Sequence, residues 1–314
     1  MPQPCVAREM KAGDRLLFQR WNGTMWVDHV IDASDFFSSA FSHLPVYANQ
    51  AAAVAAAAQP GAPFLSGADP NAINLVNFTP NRINGLKVWL DATDTATVFQ
   101  DSGKTTPAVA NDPLGGWADK SGGGNDLLQA TAGKRFVLKA TILSAKMCAL
   151  CDGVDDFLQG TFTLHQPLTV FVVAKLAAVP GVGAFGTLVD GKTTTLLQVK
   201  VNHAGTAWAD AGLTLSPSTV ALGTAGGHLV ETVFDDYSSE FRLDGTLVAA
   251  GAAGKSGATG AVAGLTLAAL GSGVANFANA YYGEVLVYDS HLSQLQREQI
   301  RNYLGDKWGL TIGS

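Results

Sequence analysis

Three carboxylates fall within five residues in the stretch Asp152-Gly153-Val154-Asp155-Asp156. Loop carboxylates so spaced supply hard oxygen ligands, so Asp152, Asp155 and Asp156 form a candidate calcium site. The competing explanation is that they cap turns by accepting nearby backbone amides, which Asp and Asn do without any ion. The turns Asp91-Ala92-Thr93-Asp94 and Asn125-Asp126 offer the same two readings. A second chemistry belongs to the aromatics. Trp117, Trp208 and Tyr237, with Phe185 and Tyr281, sit beside polar loop residues and could stack on sugar faces.

Covalent chemistry finds less support. Glycoside hydrolysis needs two carboxylates set across the bond, which one strand supplies when acids alternate along one face. Glu231 with Asp235 and Asp236, or Glu284 with Asp289, do not give that alternation. No Gly-x-Ser-x-Gly elbow occurs, and the six histidines are scattered. Cys148 and Cys151 lie in a strand-like run, where residues three apart point to opposite faces, so they read as buried small side chains.

The elements that must position these residues are short strands. From residue 84 onward, apolar runs alternate with Gly, Asp, Asn and Ser clusters: 86–90, 136–138, 147–150, 157–158, 169–174, 188–189, 196–201, 229–234, 240–243, 265–270 and 284–288. That spacing predicts a mainly β domain, an antiparallel β-sandwich or jelly roll, over residues 81–314. Residues 249–263, nearly all Gly, Ala and Ser, read as a loop or a weak edge.

The domain closes on one strand and one helix. Val285 and Val287 share one strand face and Leu286 and Tyr288 the other, so this strand is expected in a sheet interior. Ser293 and Gln296 make a capping box, which starts a helix at about Gln294. Ile300, Tyr303, Leu304 and Trp308 give it an apolar stripe, Arg297, Glu298, Arg301 and Asp306 can face water, and Gly309 ends it.

Residues 1–80 read as a separate hairpin-plus-helix region. Asn22-Gly23 turns a β-hairpin over 15–31, an Ala-rich helix follows over 45–58, and residues 59–80 are a connector with one short strand over 72–78. The Ala-rich face suits close contact with another chain. It is too short to span a bilayer, and no secretory signal is visible at the start. With 15% charged residues and a net charge of -6, the chain lacks the basic surface of a nucleic-acid binder.

Three blocks of the larger domain resemble the laminin-G-like, concanavalin A-like lectin and glucanase superfamily. They are Gly85-Leu86-Lys87-Val88-Trp89-Leu90-Asp91-Ala92 with Trp117-Ala118-Asp119-Lys120-Ser121-Gly122 and Asn125-Asp126-Leu127, then Cys151-Asp152-Gly153-Val154-Asp155-Asp156-Phe157-Leu158, then the closing strand and helix. In the N-terminal region, Tyr47-Ala48-Asn49-Gln50-Ala51-Ala52 through Pro60-Gly61-Ala62-Pro63-Phe64 is similar to small virion proteins of tailed bacteriophages.

Together these resemblances imply a bacteriophage virion structural protein without enzymatic activity, assembled in the host cytoplasm. Residues 1–80 would dock on the major capsid protein or another virion protein and make a homo-oligomer, expected to be a trimer. The concanavalin A-like jelly roll would be displayed on the virion surface as a capsid decoration or head fibre, free to meet a cell-surface glycan. No cofactor is expected apart from calcium, and no nucleic acid or membrane insertion. The alternatives are a tail or baseplate receptor-binding protein and, in another class, a bacterial carbohydrate-binding protein or glycoside hydrolase.

Overall fold

The computed structural model describes residues 15–21, 26–32, 46–47, 63–66, 73–75, 78–192, 197–211, 221–251 and 261–313. The chain divides into two compact units, Met1–Thr79 and Pro80–Ser314.

In the first unit, strands β1 (Arg15–Trp21) and β2 (Trp26–Asp32) pair antiparallel with Trp21 opposite Trp26. Strand β3 (Val46–Tyr47) runs parallel to β4 (Pro63–Ser66), which pairs antiparallel with β5 (Ile73–Leu75). The expected Ala-rich helix over 45–58 is therefore corrected at its start. Val46 and Tyr47 take extended backbone because Leu65 and Ser66 offer them a strand partner. Residues 48–58 lie outside the described residues.

The second unit is built from β6 (Leu86–Asp91), β7 (Val98–Phe99), β8 (Pro113–Leu114), β9 (Gly116–Trp117), β10 (Leu127–Leu128), β11 (Phe136–Leu143) and β12 (Lys146–Asp152). There follow β13 (Leu158–His165), β14 (Leu168–Ala178), β15 (Phe185–Gly191), β16 (Gln198–Asn202), β17 (Ala207–Asp210) and β18 (His228–Phe234). Last come β19 (Ser239–Leu243), β20 (Thr246–Gly251), β21 (Ala261–Leu267), β22 (Asn279–Tyr288) and helix α1 (Gln294–Trp308).

These strands make two antiparallel sheets packed as a sandwich. One has the order β17-β16-β15-β21-β13-β10-β9-β7; the other has β20-β19-β18-β14-β22-β12-β11-β8, with β6 also beside β22. The inner faces meet in one core. Val170, Val172 and Ala174 of β14 and Val285 and Val287 of β22 belong to it, with Leu158, Val189 and Leu267 from the facing sheet. Tyr282 crosses the core to bond the Leu188 carbonyl at 2.8 Å and stacks on Phe136.

Strand β22 is interior, as its two apolar faces predict, with β14 on one side and β12 and β6 on the other. Its second face carries Leu286 and Tyr288 and lies under α1, which makes a third layer. The helix starts with the expected capping box, both reciprocal bonds present, and stops at Gly309 in the left-handed conformation (φ 63°).

One expectation fails here for a physical reason, and one is met in part. Arg297 and Arg301 do not face water; they are buried, because β18 places Glu231 directly beneath them. Residues 249–263, expected as a loop or a weak edge, are edge in part: 249–251 end β20, the last strand of its sheet, and 261–263 begin β21, where they pair with β13 alone, while 252–260 lie outside the described residues. Just beyond this run a glycine is required by close approach: Gly264 has φ 95°, and a Cβ there would meet the Gly160 carbonyl oxygen at 2.0 Å.

Candidate functional site

Strand pairing on the eight-stranded sheet sets its outer face. Leu127 and Leu158 point into the core, so Leu128 and Gln159, which are cross-strand partners, point outward. The same register carries Gln159 to Thr266 on β21 and Thr266 to Asp190 on β15. A polar row thus crosses three strands, flanked by Leu128.

A groove of about 640 Å³ opens at the Leu128 end of this row. Its walls include Asp126, Leu128, Gln129, Phe157, Gln159, Phe162 and Lys192. Gln129 donates to the Phe157 carbonyl at 3.1 Å, Asp126 pairs with Lys104, and Lys192 donates to the Thr161 hydroxyl. Partly exposed aromatic rings beside amides, a carboxylate and an ammonium suit a sugar, which has an apolar face and a rim of hydroxyls.

The sequence candidates for glycan binding are not brought together. Trp117 pairs with Leu127 and faces the same core, at 0% exposure, so it has no face to offer a sugar; that assignment is corrected. Trp208 lies on β17, five strand positions from β10 and so roughly 24 Å away at the usual strand spacing. It is buried edge-to-face against Phe185, with the Lys200 ammonium over both rings. Tyr237 is exposed in the one-turn segment Asp236–Ser238 before β19, on the other sheet.

Asp152, Asp155 and Asp156 do converge, with ligand oxygens all within 4.8 Å, and could hold a hard cation such as calcium. They also make the turn bonds expected of them: Asp152 accepts from the Val154 and Asp155 amides, and Asp156 from the Asp152 amide. Burial, and after it the neighbouring Asp152, push the Asp156 carboxyl up to about 7. A raised carboxyl contributes stability that is complete below its unfolded pKa and is lost as pH rises through the folded value. Asp156→Asn should therefore gain on the natural protein by on the order of 1 kcal/mol per unit between pH 4 and 7. Urea titrations at pH 5 and pH 7.5 measure this, and an equal difference at both would contradict it.

A second concentration of titratable groups lies beneath α1. Glu284, fully buried, accepts from Trp89 Nε1, Tyr303 Oη, Lys307 Nζ and Trp308 Nε1, while Lys307 also pairs with Asp91 at 2.8 Å. Burial works to raise Asp91, but Lys307, Thr93 and Lys120 outweigh it and hold it below the usual carboxylate range. These groups fix the helix on the sheet. The buried cysteines are inert by comparison, the Cys148 thiol being pushed up to about 12 by burial.

No protein-family model and no curated protein matches the chain. Solved structures do share the fold. A sialidase of Trypanosoma rangeli in complex with sialic acid aligns at 12% identity and TM-score 0.51, over 72% of this chain and 33% of its own. The binding domain of Paraclostridial Mosquitocidal Protein 1 aligns at 8% identity and TM-score 0.53, over 74% and 56%. An α-L-arabinofuranosidase aligns at 12% and 0.52, over 73% and 64%.

The chain thus spans a third to under two thirds of these structures, and what it shares with them is the β-sandwich. The expectation of a protein without enzymatic activity is corrected by this finding, since glycoside hydrolases stand among the owners of the fold. The missing alternation of acids excludes one way of placing two carboxylates, not the chemistry.

Proposed function

We propose that residues 80–313 form a glycan-recognition domain whose ligand lies in the groove bordered by Leu128, Phe157, Gln159 and Lys192. The observation that carries this reading is the groove itself, apolar rings and hydrogen-bonding side chains on the open face of a rigid sheet. Its setting would be the surface of a bacteriophage particle, docked through residues 1–80 on a capsid or other virion protein. What supports that setting is the N-terminal sequence resemblance. A second reading, a carbohydrate-active protein of glycosidase type, is supported by the fold shared with a sialidase and an arabinofuranosidase.

The test is the full chain on an array of immobilised neutral and acidic oligosaccharides, repeated with Leu128→Ser and Lys192→Ala. Each variant should weaken binding about tenfold, the effect of losing one well-placed contact. Unchanged binding in both would remove the groove as the site. Release of reducing ends from the same oligosaccharides would favour the second reading.

A further inference from the structure

The polar row that borders the groove continues under a loop. Residues 268–275 lie between β21 and β22; Ala268 stays in the core with its amide on the Leu188 carbonyl at 3.2 Å, and beyond it the loop folds over the outer face of the eight-stranded sheet, held there at Gly271 and Gly273. Gly271 donates its amide to Asp190 Oδ2 at 2.9 Å. The Gly271 carbonyl accepts from Gln159 Nε2 at 2.6 Å and from Thr266 Oγ1 at 3.1 Å. Gly273 lies against the Phe157 ring, so close that a Cβ there would meet ring carbons at 2.7 Å. Gln159 and Phe157 are both walls of the groove.

We propose that Asp190 is the bolt of a latch: through Gly271 it holds the loop 268–275 closed against Gln159 and Phe157, and that closure shapes the groove. For the identity of what the groove holds, this inference rests on the glycan reading. For the latch it rests on the loop alone.

Three observations support it. Asp190 is 1% exposed, and its carboxylate gathers N–H groups from three separate segments: Gly191 of β15, Gln198 of β16 and Gly271 of the loop. The loop carries no side chain that could replace this anchor, reading Ala-Ala-Leu-Gly-Ser-Gly-Val-Ala. Its first hinge is strained: Ala268 (φ 67°) sits in the left-handed region, which an alanine keeps only where surrounding contacts enforce it.

The bolt is sensitive to protons. No cation touches Asp190 among the described residues. Asp210 of β17, which acts on it electrostatically, is paired with Lys200 of β16 at 3.0 Å, and Lys192, two residues along the chain, is bonded to Thr161 of β13. Thr266 and Gln159, from β21 and β13, are neutral, and the loop contributes only backbone. Burial pushes the Asp190 carboxyl up to about 7, against the pull of its three donors. Closure is therefore complete below the carboxyl's open-state pKa and weakens as pH rises towards 7, after which it changes no further.

Amide exchange of the ligand-free full chain, corrected for intrinsic rates, tests this at Gly271. Protection should fall as pH rises towards 7, by at most about tenfold per unit, the limit for one proton. Asp190→Asn, neutral at every pH and still offering Gly271 an oxygen, should abolish that dependence and keep the loop closed throughout. Gly271→Ala, whose Cβ would meet the Gly191 carbonyl oxygen at 2.0 Å, should open it with Asp190 intact. The Gln159 side-chain amide and Phe157 ring resonances should move with the opening. Equal Gly271 protection in the natural protein and Asp190→Asn at every pH would overturn the latch, as would loop opening with the Gln159 and Phe157 signals unmoved. An array without a bound glycan, beside a loop that titrates, would remove the glycan reading and leave the latch standing.

Discussion

Glu231→Ala should destabilise the protein by about 3–5 kcal/mol, the cost of leaving buried charge without its partner. Glu231 is 1% exposed at the centre of β18 and takes Arg297 Nη1 at 3.1 Å and Arg301 Nη1 at 2.8 Å. Arg297 retains Glu240 at 2.8 Å after the change, but among the described residues Arg301 retains only the half-exposed Glu298 at 3.8 Å. The carboxylate therefore fastens the middle of α1 to the sheet, and its loss strands Arg301 in a site closed to water. Urea unfolding at neutral pH measures the effect. A loss under about 1 kcal/mol would mean that both arginines swing out to solvent, as exposed pairs do. Replacing Glu231, Arg297 and Arg301 together by Leu, Met and Leu should recover most of the stability, because the desolvation of all three charges disappears with them.

Glu284 should be as demanding, and more particular about chemistry. Four donors converge on its two oxygens: Trp89 at 2.7 Å, Trp308 at 2.8 Å, Tyr303 at 2.9 Å and Lys307 at 2.6 Å. Glu284→Gln keeps the volume but turns an amide group towards donors that need an acceptor. It should cost about 2–4 kcal/mol, more than the loss of one ordinary hydrogen bond, because buried donors are left unsatisfied. Burial, and secondarily Asp91, raise the Glu284 carboxyl above its usual range, with Lys307 and Trp308 opposing. Thermal unfolding of the variant checks the prediction. A neutral Gln would show that the protein already carries Glu284 protonated.

The closing strand and helix were legible because their signals are local. Alternation in 284–288, the capping box at Ser293 and Gly309 each sit within a few residues of the feature they determine. The charged layer under the helix was misread by the rule that sends charge to water. A better signal was available: Glu231 in HLVETVF and Glu284 in GEVLVY are lone acids in otherwise apolar strands, and such acids require donors overhead.

The groove was not legible. Leu128, Gln159 and Lys192 are far apart in sequence and meet only through the order β10, β13, β21 and β15, which no local pattern encodes. Trp117 was misassigned for the same reason. In Trp117-Ala118-Asp119-Lys120 it looks like a loop aromatic, and only its pairing with Leu127 turns the ring inward. The short strands β7 to β10, two residues each, fall below what periodicity can report.

The groove as a glycan site is tested most directly by mapping a bound oligosaccharide, taken from the array, onto the full chain by amide chemical-shift perturbation. The account predicts shifts centred on Leu128, Gln129, Gln159 and Lys192, with smaller ones along 268–275. Shifts centred on Trp208 and Phe185, or on Tyr237, would contradict it.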